Sequence, residues 1–434
     1  MGHLYSKPSN DELSSIILNM PDDNPSNSEP KNRLHPNVWV LSIGSYLTDI
    51  SSEMIFNLLP LFLFNVLGVK TATIGLIDGV AETTASLMKI VSGTISDRIK
   101  QRKGLIVGGY LLSTLTKPFL YFATSWPLVL GVRFADRLGK GIRTSPRDAL
   151  LSSSAPPERR GYAFGLHRAA DTAGAFTGLL LAALILWRSQ AGEVELTQAG
   201  FQQIVLVSII PAVMAVTILA LGLKEIPARA GAVREGPAVR APWRHLGRTY
   251  GLFLLVMVVF TLGNSSDAFI ILRAQERGLG VIPILGMLMT FTAVYTILSS
   301  PAGALSDRIG RRNVLIAGWL VYAGVYLGMA LVNSAWQVWL LYALYGIYYA
   351  MSEGVARALV ADLVAAEQRG TAYGLFHAAI GLTALPASLI AGILWQGVGP
   401  WTGFGPSAPF IFGAIMALIA ATGLILVFPQ RVQI

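Results

Sequence analysis

Apolar residues occur in twelve long runs that are separated by short polar segments. Each run has about 20 residues or more, the length that an α-helix needs to cross about 30 Å of hydrocarbon. The runs cover residues 38–66, 73–95, 104–124, 127–150, 162–187, 200–223, 249–272, 281–303, 313–332, 336–360, 371–396 and 407–429. The short alternating strands of a membrane barrel do not occur in the sequence. The pattern predicts an all-α membrane protein with twelve transmembrane helices, numbered below as spans 1 to 12.

Composition and charge agree with a protein embedded in a lipid bilayer. Of the 434 residues, 53% are hydrophobic and 13% charged, and the mean hydropathy is +0.57, which is too apolar for an ordinary soluble protein. Arginine and lysine are concentrated in the segments that follow the even-numbered spans. By the positive-inside rule these segments and both termini are cytoplasmic. The net charge of +9 is then explained by membrane topology, and nucleic-acid binding is not needed to explain it.

Two polar segments divide the chain. Residues 1–36 contain five prolines and no apolar core of a signal peptide, and they are expected to form a flexible cytoplasmic tail. Residues 224–247 are rich in Ala, Gly, Pro and Arg and are expected to form a cytoplasmic linker. The remaining residues, 37–223 and 248–430, each hold six of the predicted spans, so we expect two six-helix bundles.

The two halves repeat one another. The run Gly93–Arg98 (GTISDR) recurs about 210 residues later as Gly303–Arg308 (GALSDR), at the end of span 8 instead of span 2. Residues 158–166 match residues 367–375, and residues 51–53 match residues 265–267, at nearly the same offset. Three matches on different spans indicate six-helix copies that run in the same sense. This layout is typical of transporters that rock one half against the other.

The segment after span 8 resembles the signature G-x-x-x-D-R-x-G-R-R of the major facilitator superfamily. The matching residues are Gly303, Asp307, Arg308, Gly310, Arg311 and Arg312. The copy after span 2 departs from it, with Lys100 in place of the second glycine and Gln101 in place of an arginine. The run Arg133–Leu150 is similar to that of a prokaryotic subgroup of the family. The resemblance covers residues 38–429 and implies the family's fold and a location in the prokaryotic plasma membrane.

Span 4 carries an unusual stripe of charge. Its charged residues fall within an arc of about 120° at the spacing of an α-helix, and the opposite face is apolar. They are Arg133, Asp136, Arg137, Lys140, Arg143 and Arg147. Such a stripe cannot face lipid and must line a wet cavity or pair with neighbouring helices. We expect the three charges farthest from the cytoplasmic end to line a cavity, and the last two to lie at a solvated helix end.

Span 1 offers acidic partners at a matching depth. Asp49 and Glu53 lie one turn apart, and Glu53 is about 22 Å from the cytoplasmic start of the span. The family resemblance implies that spans 1, 4, 7 and 10 line the central cavity, where these acids would face Arg133 and Arg137. A carboxylate that is desolvated and also close to an arginine can exchange a proton when either influence changes. We expect Asp49 or Glu53 to be the proton site, and a static ion pair between spans 1 and 4 is the alternative.

Two further groups of residues are candidates for cavity positions. His167 and Asp171 share one face of span 5, where His167 is either a titrating group or a packing histidine. On span 10, Tyr345 and Tyr349 form a stripe that ends in charged residues. With residues of span 7 they would make an amphipathic wall suited to organic substrates, although aromatic side chains at this spacing also pack in cores. The remaining members of this wall are Asn264, Asp267, Glu353 and Arg357.

The repeated segments are candidates for gates at the cytoplasmic ends of spans 2 and 8. A carboxylate there can accept hydrogen bonds from a neighbouring helix and from arginine. The family resemblance implies a network that stabilises the outward-facing state. Its expected members are Gly93, Asp97, Arg98 and Asp148 in the first half and Gly303, Asp307, Arg308 and Arg311 in the second.

These patterns favour a secondary transporter that works as a monomer, exports small organic molecules and exchanges protons for them. An importer or exporter of organic anions and a sensor or scaffold that transports nothing are the alternatives. No P-loop and no metal-binding motif such as H-E-x-x-H occurs, so neither an enzyme nor an ATP-driven pump is predicted. We expect no metal and no cofactor, with the proton gradient as the energy source.

Overall fold

The computed structural model describes residues 34–99, 101–155, 160–189, 193–226, 246–364 and 369–427. Most of the predicted tail and most of the predicted linker lie outside these residues. Within the described ranges all regular secondary structure is helical. The twelve main helices are α1 Pro36–Phe56, α2 Thr71–Ile99, α3 Lys103–Thr116, α4 Trp126–Ser153, α5 Arg160–Ser189, α6 Gln198–Gly222, α7 Arg248–Gly263, α8 Val281–Ile309, α9 Arg311–Leu331, α10 Ala335–Leu363, α11 Arg369–Gln396 and α12 Ala408–Val427.

The predicted all-α fold with twelve helices is confirmed. Helices α1, α3 and α7 continue beyond a break or change of helix type, through Val66, Phe122 and Glu276 respectively. Helix ends follow local chemistry: Gly310, with φ of +92°, separates α8 from α9, and the Thr197 hydroxyl caps α6 by accepting from the Gly200 amide.

Nine helical stretches in the described part of the chain are long and apolar enough to cross a membrane. Of the twelve helices, α2, α4 and α10 fall outside this group. Charged side chains interrupt α2 and α4, and tyrosines occupy the middle of α10. These three helices supply many of the residues that line the cavity described below.

Helix α7 is broken, whereas the sequence pattern predicted one continuous span over residues 249–272. The helix ends at Gly263 and resumes over Ala268–Glu276. Asn264 has φ of −92° and ψ of 79°, outside the helical region. Side chains satisfy part of the freed backbone, because the Ser266 hydroxyl accepts from the Ala268 amide and the Ser388 hydroxyl accepts from the Ser266 amide. Hydropathy does not register such a break, since the flanking residues remain apolar.

Helix packing repeats between the halves, as the sequence predicted. In the first half α1 packs on α5 and α6, and α4 packs on α2 and α3; in the second, α7 packs on α11 and α12, and α10 packs on α8 and α9. The two halves meet through α2 with α11 and through α5 with α8. The structure is thus a pair of six-helix bundles with a common arrangement.

The halves are tied together at one end of the molecule. There, the amide of Thr71 at the start of α2 donates to the Gln396 side chain on α11 over 2.8 Å. Close by, the Val281 amide at the start of α8 donates to the Val194 carbonyl over 3.2 Å. Farther along, the Thr83 hydroxyl donates to the Gly381 carbonyl. We call this the closed end, and we call the other end, where α2 and α8 finish, the basic end.

Candidate functional site

A cavity lies between the two halves. It consists of two overlapping compartments of about 790 and 670 Å³. The residues that line both are Asp49, Glu53, Lys140 and Arg143 from the first half and Asp267, Tyr349 and Glu353 from the second. The larger compartment extends toward the basic end, where Arg147 and Asp148 line it. The cavity is large enough for a small organic molecule.

The inner basic residues of α4 pair with α2. The Arg133 guanidinium lies 3.0 Å from the Asp78 carboxylate, and that of Arg137 lies 3.5 Å from the Glu82 carboxylate. The expected pairing of these arginines with Asp49 and Glu53 is therefore wrong. Their partners, Asp78 and Glu82, lie one turn apart on α2.

Packing explains why α2 rather than α1 supplies the partners. Gly141 of α4 lets the backbone of α2 approach so closely that a Cβ there would lie 2.4 Å from the Met88 Cβ. On the α1 side, the Phe56 ring occupies the space beside both arginines. Its centroid is 4.3 Å from the Arg133 guanidinium carbon and 5.7 Å from that of Arg137. Equal depth in the membrane therefore did not bring the α1 acids into contact with these arginines.

The two α1 acids differ in their surroundings. Glu53 accepts a hydrogen bond of 2.6 Å from the Asn57 side-chain amide one turn away. Asp49 has no recorded hydrogen bond among the described residues and lines both compartments. It lies within electrostatic range of Glu53 and Asp171 and of the cations Lys140 and Arg143.

The remaining charges of α4 are divided between buried and open positions. Asp136 is buried, with a carboxylate oxygen 4.0 Å from Arg137 Nε. Arg143 donates to the Ser113 hydroxyl over 2.7 Å, and its guanidinium lies 4.2 Å from the Tyr110 ring centroid. The Lys140 ammonium is exposed to the cavity and makes no recorded ion pair within the described residues.

Lys117 is a buried cation that the sequence reasoning missed. It lies at the end of α3 with 1% of its surface exposed. Its ammonium donates to the Ser51 and Ser52 hydroxyls of α1 over 2.6 and 3.2 Å. A lone lysine inside the apolar run 104–124 was the signal that could have identified it.

His167 and Asp171 are adjacent on α5. His167 Nε2 lies 3.8 Å from an Asp171 carboxylate oxygen, and neither ring nitrogen of the buried histidine has a hydrogen-bond partner among the described residues. Asp171 lines the larger compartment, whereas His167 does not line either compartment. The histidine is therefore placed behind the cavity wall.

The second half contributes a carboxylate held by phenols. Asp267 lies at the break in α7 and accepts hydrogen bonds from the Tyr345 and Tyr349 hydroxyls over 3.1 and 3.5 Å. The Asn264 amide donates to the Tyr348 hydroxyl over 3.2 Å. Tyr345 is completely buried, whereas Tyr349 lines the cavity. The predicted stripe on α10 thus contains both core and cavity positions.

Glu353 on α10 contacts residues of both bundles. Its carboxylate lies 2.6 Å from Arg357, and it accepts from the Tyr295 hydroxyl of α8 over 2.6 Å. Arg168 of α5 reaches it from the first half at 3.2 Å. The sequence placed Glu353 and Arg357 on this wall but gave no sign of Arg168, which lies in a different half.

A second contact between the halves lies deeper in the cavity. The Ser266 hydroxyl at the α7 break donates to Asp78 over 2.8 Å. The other oxygen of Asp78 accepts from Arg133. One carboxylate therefore connects the charged stripe of α4 to the broken helix of the second half.

The structure describes most of the residues predicted to form the gates. Gly93 and Gly303 lie on α2 and α8, and the side chains of Asp97 and Arg98 lie outside the described residues. Arg147 and Asp148 form an ion pair of 3.0 Å. In the second half, Arg311 lies 3.5 Å from Asp307 and also pairs with Asp362 of α10. Arg308 is exposed beside this group, with no ion pair recorded among the described residues.

A sequence profile of the Major Facilitator Superfamily matches residues 41–290 and 281–433. An uncharacterized MFS-type transporter of Methanocaldococcus jannaschii is 38% identical over 408 residues, which cover 93% of this chain and 97% of the relative. The multidrug resistance protein MdtG of Escherichia fergusonii is 23% identical over 331 residues, covering 74% of this chain and 78% of the relative.

Solved structures share the fold. The nucleoside transporter NupG, as a D323A mutant, has a TM-score of 0.76 at 12% identity, with 90% of this chain and 100% of that chain covered. A bacterial homolog of the human lysosomal transporter Spinster, inward-facing and occupied, has a TM-score of 0.73 at 17% identity, with coverage of 90% and 96%.

Proposed function

This chain belongs to the Major Facilitator Superfamily and is a multi-pass membrane transporter, and from that premise we propose that it exports small organic molecules in exchange for protons. Alternating access is the proposed mechanism: the two bundles rock about the central cavity and expose it to one side of the membrane at a time. Relatives named as multidrug resistance proteins support export. Because one chain supplies both walls of the cavity, we propose the monomer as the transporting unit.

The observation that carries the proposal is the group of carboxylates around Asp49. Asp49, Glu53 and Asp171 line the same compartment, and Asp49 makes no ion pair with the nearby Lys140 or Arg143 among the described contacts. Neighbouring carboxylates share protons because like charges repel. A proton there can be exchanged when substrate or conformation changes the balance of charge. The arginine Arg133, by contrast, is held by Asp78 and is not free to modulate Asp49.

The proposed orientation places the basic end in the cytoplasm of a prokaryotic cell. Among the described residues, Arg102 and Lys103 at the start of α3 and Arg311 and Arg312 at the start of α9 lie at that end, which agrees with the positive-inside rule. The cavity extends toward this end and the closed end holds the halves together, as in an inward-facing state. An exporter in this state would receive its substrate from the cytoplasm.

Transport of organic anions is the second candidate function. It is favoured by Lys140 and Arg143, two cavity cations that contact no carboxylate among the described residues. Under this proposal the proton site is unchanged and only the substrate differs. A sensor that transports nothing would show binding without flux.

Proteoliposomes with an acidic lumen test the proposal. We expect compounds from a fluorescent panel of cations, anions, neutral molecules and zwitterions to accumulate inside, with the lumen becoming more alkaline. Asp49→Asn should abolish accumulation driven by the pH gradient and retain exchange of labelled for unlabelled substrate. Glu193→Gln, an exposed acid remote from the cavity, is the matched control. Gradient-driven accumulation by Asp49→Asn at the normal rate would exclude Asp49 as the proton site.

A further inference from the structure

The first half presents to the cavity two cations that make no ion pair among the described residues. Lys140 lines both compartments, and its ammonium makes no ion pair among the described residues. Arg143, one turn along α4, is bound to a serine hydroxyl and an aromatic ring, neither of which neutralises its charge. Two adjacent cations with open donor positions form a site for a compact anionic group.

The second half presents a carboxylate without a cationic partner. Asp267 lines both compartments, and its described hydrogen bonds come only from tyrosine hydroxyls. Three aromatic rings of the same wall form a corner. The Phe291 and Tyr295 rings are nearly parallel at 11°, and the Tyr349 ring is inclined to them by 87° and 77°. A carboxylate beside aromatic faces is the chemistry that recognises an organic ammonium group.

Other cavity charges are already neutralised or assigned. The described ion pairs are Arg133 with Asp78, Arg137 with Glu82 and Asp136, Arg147 with Asp148, and Glu353 with Arg168 and Arg357. Asp49 and its neighbouring acids form the proposed proton site. Lys89 of α2 also makes no ion pair among the described residues, but it lines only the larger compartment. Lys140 and Asp267 therefore remain as the unassigned charges of opposite sign that line both compartments, one on each half.

We propose that the substrate is a zwitterion that bridges the two halves, with its anionic group at Lys140 and Arg143 and its ammonium group at Asp267 in the aromatic corner. This inference rests on the proposed transport function and specifies its substrate class. A singly charged ligand would shield both sites from water but supply an opposite charge to only one of them. The charge at the other site would then be desolvated without a partner, which costs binding free energy. A zwitterion pairs both and links the bundles that must move together.

Three matched compounds test the substrate class by binding to the purified protein in detergent. The zwitterion is 4-(aminomethyl)phenylacetate, the anion is 4-methylphenylacetate and the cation is 4-methylbenzylamine. Each charge-assisted hydrogen bond should improve affinity by roughly 10- to 100-fold. We therefore expect the zwitterion to bind at least roughly tenfold more tightly than either singly charged compound in equilibrium dialysis.

Two variants assign the charges to their sites. Lys140→Gln should reduce zwitterion affinity to that of the cation and leave cation binding unchanged. Asp267→Asn should reduce it to that of the anion and leave anion binding unchanged. Exposed residues outside the cavity provide the matched controls Lys70→Gln and Glu193→Gln, which should bind all three compounds as the unaltered protein does.

Several outcomes would overturn the inference. The first is equal affinity of the unaltered protein for the three compounds, and the second is no binding of the zwitterion. The third is a loss of affinity in Lys140→Gln and Asp267→Asn that is equal for the zwitterion, the anion and the cation. Because the unchanged affinity for one singly charged compound reports a folded cavity, loss of folding cannot imitate the expected result. The proteoliposome panel is independent: proton-driven export of neutral or cationic compounds only would refute the zwitterion and leave the proposed function standing.

Discussion

Asp78 is held from two directions. Arg133 binds one of its oxygens from α4, and Ser266 binds the other from the broken helix α7. Its side chain is 16% exposed and that of Arg133 is 6% exposed, so the pair is largely shielded from water. Removing one partner from such a pair leaves the other charge uncompensated and is more damaging than removing both.

Arg133→Gln should therefore lower the free energy of unfolding by about 3 kcal/mol. The double variant Arg133→Gln/Asp78→Asn should recover part of that loss, because neither charge remains unpaired. Unfolding by sodium dodecyl sulfate in mixed micelles measures both values. Arg188→Gln, an exposed arginine on α5, is the matched control and should cost little. The single variant Asp78→Asn completes the comparison. If the double variant loses as much free energy of unfolding as the two single variants lose when added together, the two residues do not interact.

At the scale of helices, α2 and α11 approach through glycines at the closed end. A Cβ on Gly75 would lie 2.2 Å from the Ser388 carbonyl oxygen, and one on Gly79 would lie 2.7 Å from the Leu385 Cα. On α11, a Cβ on Gly392 would lie 2.4 Å from the Ala72 Cα. Backbone atoms cannot yield as a flexible side chain can, so larger residues must separate the helices.

Gly79→Leu should therefore open the closed end and shift the population away from the inward-facing state. Spin labels at Lys70→Cys and Val398→Cys lie in exposed loops of different halves at that end. The chain contains no native cysteine, so the labels are specific. The distance between them, measured by double electron–electron resonance, should increase by several ångströms. Gly108→Leu on α3, where nothing lies within 4 Å of the added Cβ, should leave it unchanged.

The break in α7 has a consequence for the site. Irregular backbone at membrane depth persists only where protein or a wet cavity surrounds it. Here the unwound residues 264–267 supply the Asn264 and Asp267 side chains to the tyrosines of α10 and the Ser266 hydroxyl to Asp78. The break thus connects the two walls of the cavity.

For the whole molecule, the charge asymmetry of the loops predicts orientation. Gln101, between α2 and α3, is exposed at the basic end, and Val398, between α11 and α12, is exposed at the closed end. In intact bacterial cells, a membrane-impermeant maleimide should label Val398→Cys, while Gln101→Cys should react only after the cells are made permeable. The reverse labelling pattern would invert the proposed direction of transport.

Much of the fold followed from the sequence because its determinants are local. A hydrophobic run of sufficient length becomes a membrane helix whatever its neighbours are, so the twelve spans agree with the observed helices within a few residues at most ends. The matching segments at a half-chain offset predicted the common arrangement of the two bundles. The charged face of α4 was visible as a helical stripe, and its placement against a cavity and a neighbouring helix followed from the cost of charge in lipid.

Only the tertiary structure decided which charges meet. Sequence places Asp49 and Glu53 at a suitable depth, but the close packing of α2 on α4 and the Phe56 ring select Asp78 for Arg133. The α7 break, the buried Lys117 and the reach of Arg168 into the other half depend likewise on neighbours distant in sequence. Hydropathy and helical periodicity show which face of a helix is polar or apolar, but not which other helix packs against that face. Which partner a charged residue meets is decided by the side chains of other helices. Their packing therefore determines which charges form ion pairs and which remain available to a substrate.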